Sequence, residues 1–267
     1  MQTGVSKNKL KKTFISKKSM LEIFYRIALL VGIYLLWHFT AKDLGSDLLL
    51  PMPSKVIEGF LYCLTDPETI KNVFITMQRV MKGFGYALVI GLPIGFIMGF
   101  SSTCEKVLSP VIDSVRQVPI MSWVPLTIVW FGIGDGPTIF LIAFSGIFSI
   151  VLNTIHGVRT ISKDYYNAAK SMGASPFIIF KDVIFPAALP DILTGARLAI
   201  SNGWMSVIWA EFIATSAGIG YSMVQAQTLM QTHILIGLMI FAAIIGFLID
   251  RVLKYVNKLL CKWRFAE

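Results

Sequence analysis

GFGYALVIGLPIGFIMGF, residues 83–100, contains no Asp, Glu, Lys or Arg. At 1.5 Å per residue a helix of this length nearly crosses the roughly 30 Å hydrocarbon core of a bilayer. The segment is not isolated. Residues 137–158 are also free of those four residue types, and so are residues 212–249. Composition agrees: 55% of the chain is hydrophobic, 15% is charged, and the mean hydropathy is +0.70. Soluble domains carry about 25% charged residues. The fold class predicted is therefore all-α and polytopic, with the bilayer as its solvent.

Working outward from residues 83–100, six spans are expected: 23–41, 83–100, 107–131, 137–158, 191–214 and 234–249. The last two share an uncharged stretch too long for one helix. Thr215–Gly220 and the Gln/Thr-rich segment to His233 interrupt it. The chain divides into a basic tail (1–22), a first span (23–41), and an outer loop with an interfacial helix leading into the second span (42–82). A membrane core (83–252) with a polar loop at 159–190 and a second basic tail (253–267) follow. Pro51 and Pro53 precede Ser54, an N-cap for the interfacial helix through Leu64. No small-x-small cleavage site follows the first span, so it is expected to stay uncleaved.

The net charge of +9 sits mostly at the two ends and in the 159–190 loop. Lys7, Lys9, Lys11, Lys12, Lys17, Lys18 and Arg26 crowd one end; Arg251, Lys254, Lys258, Lys262 and Arg264 crowd the other. Basic residues flanking apolar spans follow the positive-inside rule, which places both termini and the 159–190 loop in the cytoplasm of a cell membrane. The pattern argues against nucleic acid. Cys63, Cys104 and Cys261 are isolated, and His38, His156 and His233 lie far apart. Neither set has metal-ligand spacing, so no metal site is expected.

The 159–190 loop has its own grammar. Ser162 can cap a short helix, and Gly173 can end it in the left-handed conformation. Ser175 and Pro176 suit the N-cap and first turn of a second helix, and Pro186 is expected to stop that one. Two short helices then meet at a glycine elbow. From these features alone a solvated connector remains an equal reading.

Within the spans, ionisable and amide side chains are candidates for a solute path, because such groups face protein or water rather than lipid. Asp113 and Arg116 share a helix face. They form either a structural pair near the inner face or part of the path, where Arg116 would meet an anion. Arg197, Asn202 and Glu211 pose the same question, and Gln117 and Asn153 are further candidates. Glu211 need not share a face with Asn202. Gly91, Gly95 and Gly99 form a smooth face for close helix packing, against this chain or a second copy.

The loop resembles one family specifically. Permeases of binding-protein-dependent ABC importers carry Glu-Ala-Ala, three residues, Gly, nine residues, then Ile-x-Leu-Pro. This chain has Asn167-Ala168-Ala169, Gly173 and Val183-Ile184-Phe185-Pro186 at the same spacing. Asn167 replaces the family's Glu, and Asp164 one turn earlier can partly substitute for its charge. Leu50–Ser54, Arg116–Leu126, Trp130–Asp135, Asn153-Thr154 and Gly195–Ala199 resemble the nitrate, sulfonate, taurine and bicarbonate subgroup.

The resemblance implies a permease subunit that imports a small oxyanion. It implies docking of a cytoplasmic ATPase subunit through Asp164, Asn167, Ala168, Ala169, Gly173, Pro176 and Pro186. It further implies an external substrate-binding protein and a second permease subunit, most simply a homodimer. The chain has no G-x-x-x-x-G-K-[ST] loop, so ATP and Mg are expected in the partner ATPase, with no cofactor on this chain and no catalytic residues of its own. A secondary transporter or channel is the alternative, but no internal repeat supports it. Motifs of a membrane-embedded enzyme are missing from the sequence.

Overall fold

The computed structural model describes residues 17–261, and the regular elements among them are all helices. Part of each basic tail, including Lys7–Lys12, Lys262 and Arg264, lies outside the described residues. Packing divides the chain after Lys55 into two units. The first holds α1 (Lys17–Leu44), whose 28 residues are long enough to cross a bilayer. Most of its apolar side chains are exposed, Leu36 at 71% for example, as expected of a helix surrounded by lipid. Trp37 Nε1 donates to the Pro51 carbonyl at 3.2 Å, and Lys55 pairs with Asp47.

α2 (Pro53–Thr65) starts at this boundary. α3 (Pro67–Phe100) is one helix of 34 residues, so the opening stretch is only its second half. Asp66 caps it by accepting from the Thr69 backbone N–H at 2.8 Å and from the Thr69 hydroxyl at 2.7 Å. Pro67 fits the first turn, where its missing N–H costs nothing. Residues 67–82 were expected in the outer loop because they carry charge; those charges do not interrupt the helix. Within the second unit α2 packs through glycines against residues 233–237. A Cβ on Gly59 would meet the His233 backbone, and one on Gly237 would meet Gly59 and Phe60 at 2.8 Å.

The expected third span, 107–131, is not one helix. α4 (Ser102–Arg116) ends at Gln117, a 3-10 turn covers Ile120–Trp123, and α5 (Val124–Phe131) follows. Pro119 explains the break. It lacks an N–H, its ring would clash with the carbonyl four residues back, and it biases Val118 toward extended backbone. Pro125 lies in the first turn of α5 and is tolerated there.

α6 (Asp135–Arg159) is central, packed on one side by α3 and on the other by α9 (Phe185–Ala214). The glycine face of α3 meets α6 of the same chain in constant register. Built Cβ atoms on Gly83, Gly91, Gly95 and Gly99 would lie 2.5, 3.0, 2.6 and 2.9 Å from Ile142, Ile150, Thr154 and Val158. In lipid there is no hydrophobic drive between helices, so such close approach supplies the packing energy through dispersion. Gly195 and Gly203 of α9 approach α6 similarly, against Asn153 and Ile142.

The loop after α6 holds α7 (Lys163–Ser171) and α8 (Pro176–Ile179). α9 is followed by α10 (Ile219–Thr228) and α11 (Thr232–Leu260). α11 extends well past the expected end of the sixth span, so residues 253–260 are helix rather than tail. Among the described residues, four helices are long and apolar enough to cross a membrane: α1, α3, α6 and α11. α9, at 30 residues, is equally long, but its polar side chains, among them Asp191, Arg197, Asn202 and Glu211, are spread along it. The broken α4–α5 segment makes the sixth element of the expected set.

Candidate functional site

The α7–α8 elbow forms as its local sequence dictates. Ser162 Oγ accepts from the Asp164 backbone N–H at 3.2 Å and opens α7. α7 closes with Gly173 at φ +79°, where Gly173 N–H donates to Lys170 and Ala174 N–H donates to Ala169. This paired arrangement satisfies the terminal carbonyls and requires the left-handed residue. Ser175 Oγ accepts from Ile178 N–H at 3.4 Å and starts α8 on Pro176. Tyr165, Met172 and Phe177 are exposed around the elbow, Met172 at 87%. Asp164, Asn167, Ala168 and Ala169 all lie on the exposed helix α7.

Pro186 does not stop the second helix. The chain passes from α8 through a π turn, Phe180–Ile184, directly into α9, with Phe185 N–H donating to Phe180. The wider turn moves the carbonyl that a proline ring would otherwise strike, so helix continues through Pro186. The elbow is thereby joined to α9 by continuous helical backbone.

Four of the six path candidates converge. Arg116, Gln117, Asn153 and Asn202 line one cavity of about 530 Å³ between α4, α6 and α9. The helix break at Gln117–Pro119 also borders it. Non-helical backbone at membrane depth is tolerated where it is buried in protein or lines such a space. Among the described residues Arg116 bonds to Asp113 alone, through Nε at 2.9 Å. The expected Asp113–Arg116 pair therefore forms.

Three serines that the sequence reading did not single out complete the lining. Ser145 and Ser149 lie on the same face of α6 as Asn153, and Ser206 lies one turn after Asn202 on α9. Asn202 Nδ2 donates to Ser149 Oγ at 3.1 Å, and Ser206 Oγ lies 3.3 Å from Ser145 Oγ. The four-residue spacing of these polar positions was the available signal. No Asp or Glu lines the cavity among the described residues. The surface offers hydrogen-bond donors, hydroxyls and one guanidinium, which is the chemistry of an anion path.

The other two candidates lie elsewhere. Arg197 is near Asp250 of α11 rather than in the cavity. Glu211 is fully buried at the far end of α9, where it meets Arg79, a residue not among the candidates. Arg79 Nη1 donates to Glu211 Oε1 at 2.7 Å and to the Ala217 carbonyl at 2.6 Å. Its other edge pairs with Asp135 at 2.7 Å. The first N–H groups of the α10 region are taken up in turn: Gly218 donates to Asn72, Ile219 to Thr76, and Gly220 to Glu211. This network ties α3, α6, α9 and α10 together, and Glu211 is not among the residues lining the cavity.

Comparison with known proteins agrees with this geometry. Residues 91–262 match the family described as binding-protein-dependent transport system inner membrane component. The putative aliphatic sulfonates transport permease protein of Escherichia coli strain K12 is 35% identical over 238 residues, covering 88% of this chain and 90% of the relative. The taurine transport system permease protein of the same organism is 32% identical over 232 residues, covering 85% and 84%. Among solved structures, a chain of a methionine ABC transporter in an inward-facing conformation superposes with a TM-score of 0.64 at 18% identity. That match covers 72% of this chain and 95% of the other, and shows the fold. A secondary transporter or channel is not favoured by any of these similarities. The chain belongs to the inner membrane component family of binding-protein-dependent transport systems, and it is the membrane-spanning permease subunit of an ABC importer.

Proposed function

We propose that this permease imports a small oxyanion such as a sulfonate, taurine, nitrate or bicarbonate through the cavity between α4, α6 and α9. The observation that carries the reading is the lining itself: Arg116, Gln117, Asn153 and Asn202 face one space with no carboxylate among them. The taurine and sulfonate relatives support the same class. The α7–α8 elbow docks a cytoplasmic ATPase subunit through the residues from Asp164 to Pro176, with Pro186 at the root of the lever. Motion of the elbow reaches the cavity because helix runs from α8 into α9. ATP and Mg act in the partner, and this chain has no catalytic role of its own.

In this reading both termini and the elbow are cytoplasmic, and the Gly132–Asp135 turn faces outward to the binding protein. Two copies of the chain enclose the path. The test is uptake by proteoliposomes holding the complete complex and its binding protein. ATP-driven uptake of labelled taurine or another sulfonate is expected. ATP-driven uptake of a cation, with no oxyanion transported, overturns the anion assignment.

A further inference from the structure

We infer that Phe96 of α3 is a positioning residue for energy coupling: it braces the π turn at the root of the elbow, so that motion of the elbow turns the packed helices together instead of being absorbed at the turn. The inference rests on the reading that the elbow docks the ATPase subunit, and adds the residue that carries the motion beyond α9.

The π turn is the soft point of the connection. Helix runs from α8 into α9, but Phe180–Ile184 are held by the wider spacing, with Phe185 N–H donating to the Phe180 carbonyl. Helices bend at such turns. Pro186, two residues past the turn, has no N–H to donate back to it. α7 packs on α8 and on the turn itself, and none of its residues is buried. A lever carried on an unbraced turn would swing without moving the helices behind it.

The brace is aromatic. Phe180 and Phe185, at the two ends of the turn, both pack on Phe96. The Phe180 ring meets it edge to face at 5.2 Å between centroids, and the Phe185 ring stacks at 6.4 Å. Phe100, one turn along α3, stacks on Phe96 at 6.0 Å and reaches Phe180 at 6.3 Å. Ile184 within the turn joins Phe96 around Val158 of α6 and Ala188 of α9. The same end of α3 is fastened to its neighbours. Ser101 closes α3 by donating its N–H to the Ile97 carbonyl at 3.1 Å, and opens α4 by accepting from Cys104 N–H at 3.2 Å. Arg159, the last residue of α6, pairs with Glu105 of α4 at 2.6 Å and lies 3.5 Å from the Met98 carbonyl. The elbow thus reaches α9 through the backbone, and through Phe96 it reaches α3 and with it α4 and α6.

The test uses the complete complex with its binding protein in proteoliposomes. Met172→Cys and Val107→Cys, at positions 87% and 66% exposed, are spin-labelled in a Cys104→Ser background; Cys63 and Cys261 are buried. Labelled copies are diluted with unlabelled ones so that the distance within one chain is read. In the parent that distance should be the same with ATP as without nucleotide, because the elbow and α4 turn together. In Phe96→Ala it should change with nucleotide and its distribution should broaden, while the ATPase subunit stays bound. Uptake per ATP hydrolysed should fall about fivefold, the population shift expected from losing one aromatic pair. Phe180→Ala, which removes that pair from the other side, should behave alike. Phe96→Leu, which restores apolar bulk, should recover part of the loss, and Ile97→Ala, at an exposed neighbouring position, should match the parent. A nucleotide-dependent distance in the parent, or parental uptake per ATP in both Phe96→Ala and Phe180→Ala, or a distance as fixed in those variants as in the parent, overturns the inference and leaves the docking reading intact. Loss of the ATPase subunit from Phe96→Ala alone would move Phe96 into docking and also overturns it. A parent chain that binds no ATPase subunit refutes the docking reading, and this inference with it.

Discussion

Removing Arg79 should be the most damaging single truncation in the second unit. Arg79→Met leaves the Glu211 carboxylate, which has no solvent exposure, with hydroxyl and amide donors but no counter-charge. Breaking a buried pair by deleting one partner costs about 3–5 kcal/mol. The lost bond to the Ala217 carbonyl adds to this, because nothing else among the described residues replaces that donor. For a chain of this size the cost corresponds to a fall in Tm of about 10 °C. A thiol-reactive dye reports unfolding in detergent, since burial pushes the Cys63 thiol up to about 11 and keeps it protonated at working pH. Glu211→Gln should be milder, at about 1–3 kcal/mol, because an acceptor remains and Arg79 keeps Asp135. The pair Arg79→Met with Glu211→Met should recover more than half of the Arg79→Met loss, since both charges are gone. A Tm for Arg79→Met within about 2 °C of the parent would refute the claim that this network holds the helices together.

Gly95→Ala places a methyl 2.6 Å from Thr154 and should destabilise the protein by about 1–3 kcal/mol, whereas Gly85→Ala, with open space around it, should be neutral or slightly stabilising; the same dye assay separates them. Hydrogen bonds from Thr69 hold the Asp66 carboxyl below its ordinary value. Its contribution is therefore present above the ordinary carboxylate range of about 4 and is lost as the pH falls through the lowered value; Asp66→Ala should remove about 1 kcal/mol at pH 7 and flatten the acid limb of the stability profile. Gly173→Asp should leave membrane abundance near normal, because a Cβ there meets nothing within 4 Å and the long flanking helices insert without the elbow, while the strain of a Cβ at φ +79° displaces the elbow so that ATPase association and transport are lost. Normal co-purification and uptake by that variant would remove the elbow from the coupling role.

The elbow was legible because its determinants are local. Ser162, Gly173, Ser175 and Pro176 each act within a few residues of their own position, and the backbone follows them. Pro186 misled for a non-local reason: its effect depends on whether the preceding turn can widen, which the residue alone does not show. The cavity was partly legible, since polar amides at membrane depth are costly unless they face a space, and Arg116, Gln117, Asn153 and Asn202 do so. Its serines were not, because serine in a membrane helix serves packing as often as binding. Glu211 was visible as a buried charge, but not its place away from the cavity. Its partner Arg79 is 132 positions away, in a segment whose charges suggested a loop. Gly91, Gly95 and Gly99 announced a packing face, but only their register against Ile150, Thr154 and Val158 shows that the partner is α6 of the same chain.

The central claim is that the α7–α8 elbow is where the ATPase subunit grips this permease. Met172 at the elbow is 87% exposed, and Ile133 in the turn before α6 is 78% exposed. Single cysteines at the two positions, in membranes containing the whole complex, can be treated with a short thiol-to-amine crosslinker. Met172→Cys should join this chain to the ATPase subunit in a yield that changes with ATP, and Ile133→Cys should give no such product while reacting with an impermeant thiol reagent from outside. A crosslink to the ATPase from Ile133→Cys, or none from Met172→Cys in an actively transporting complex, would contradict the account.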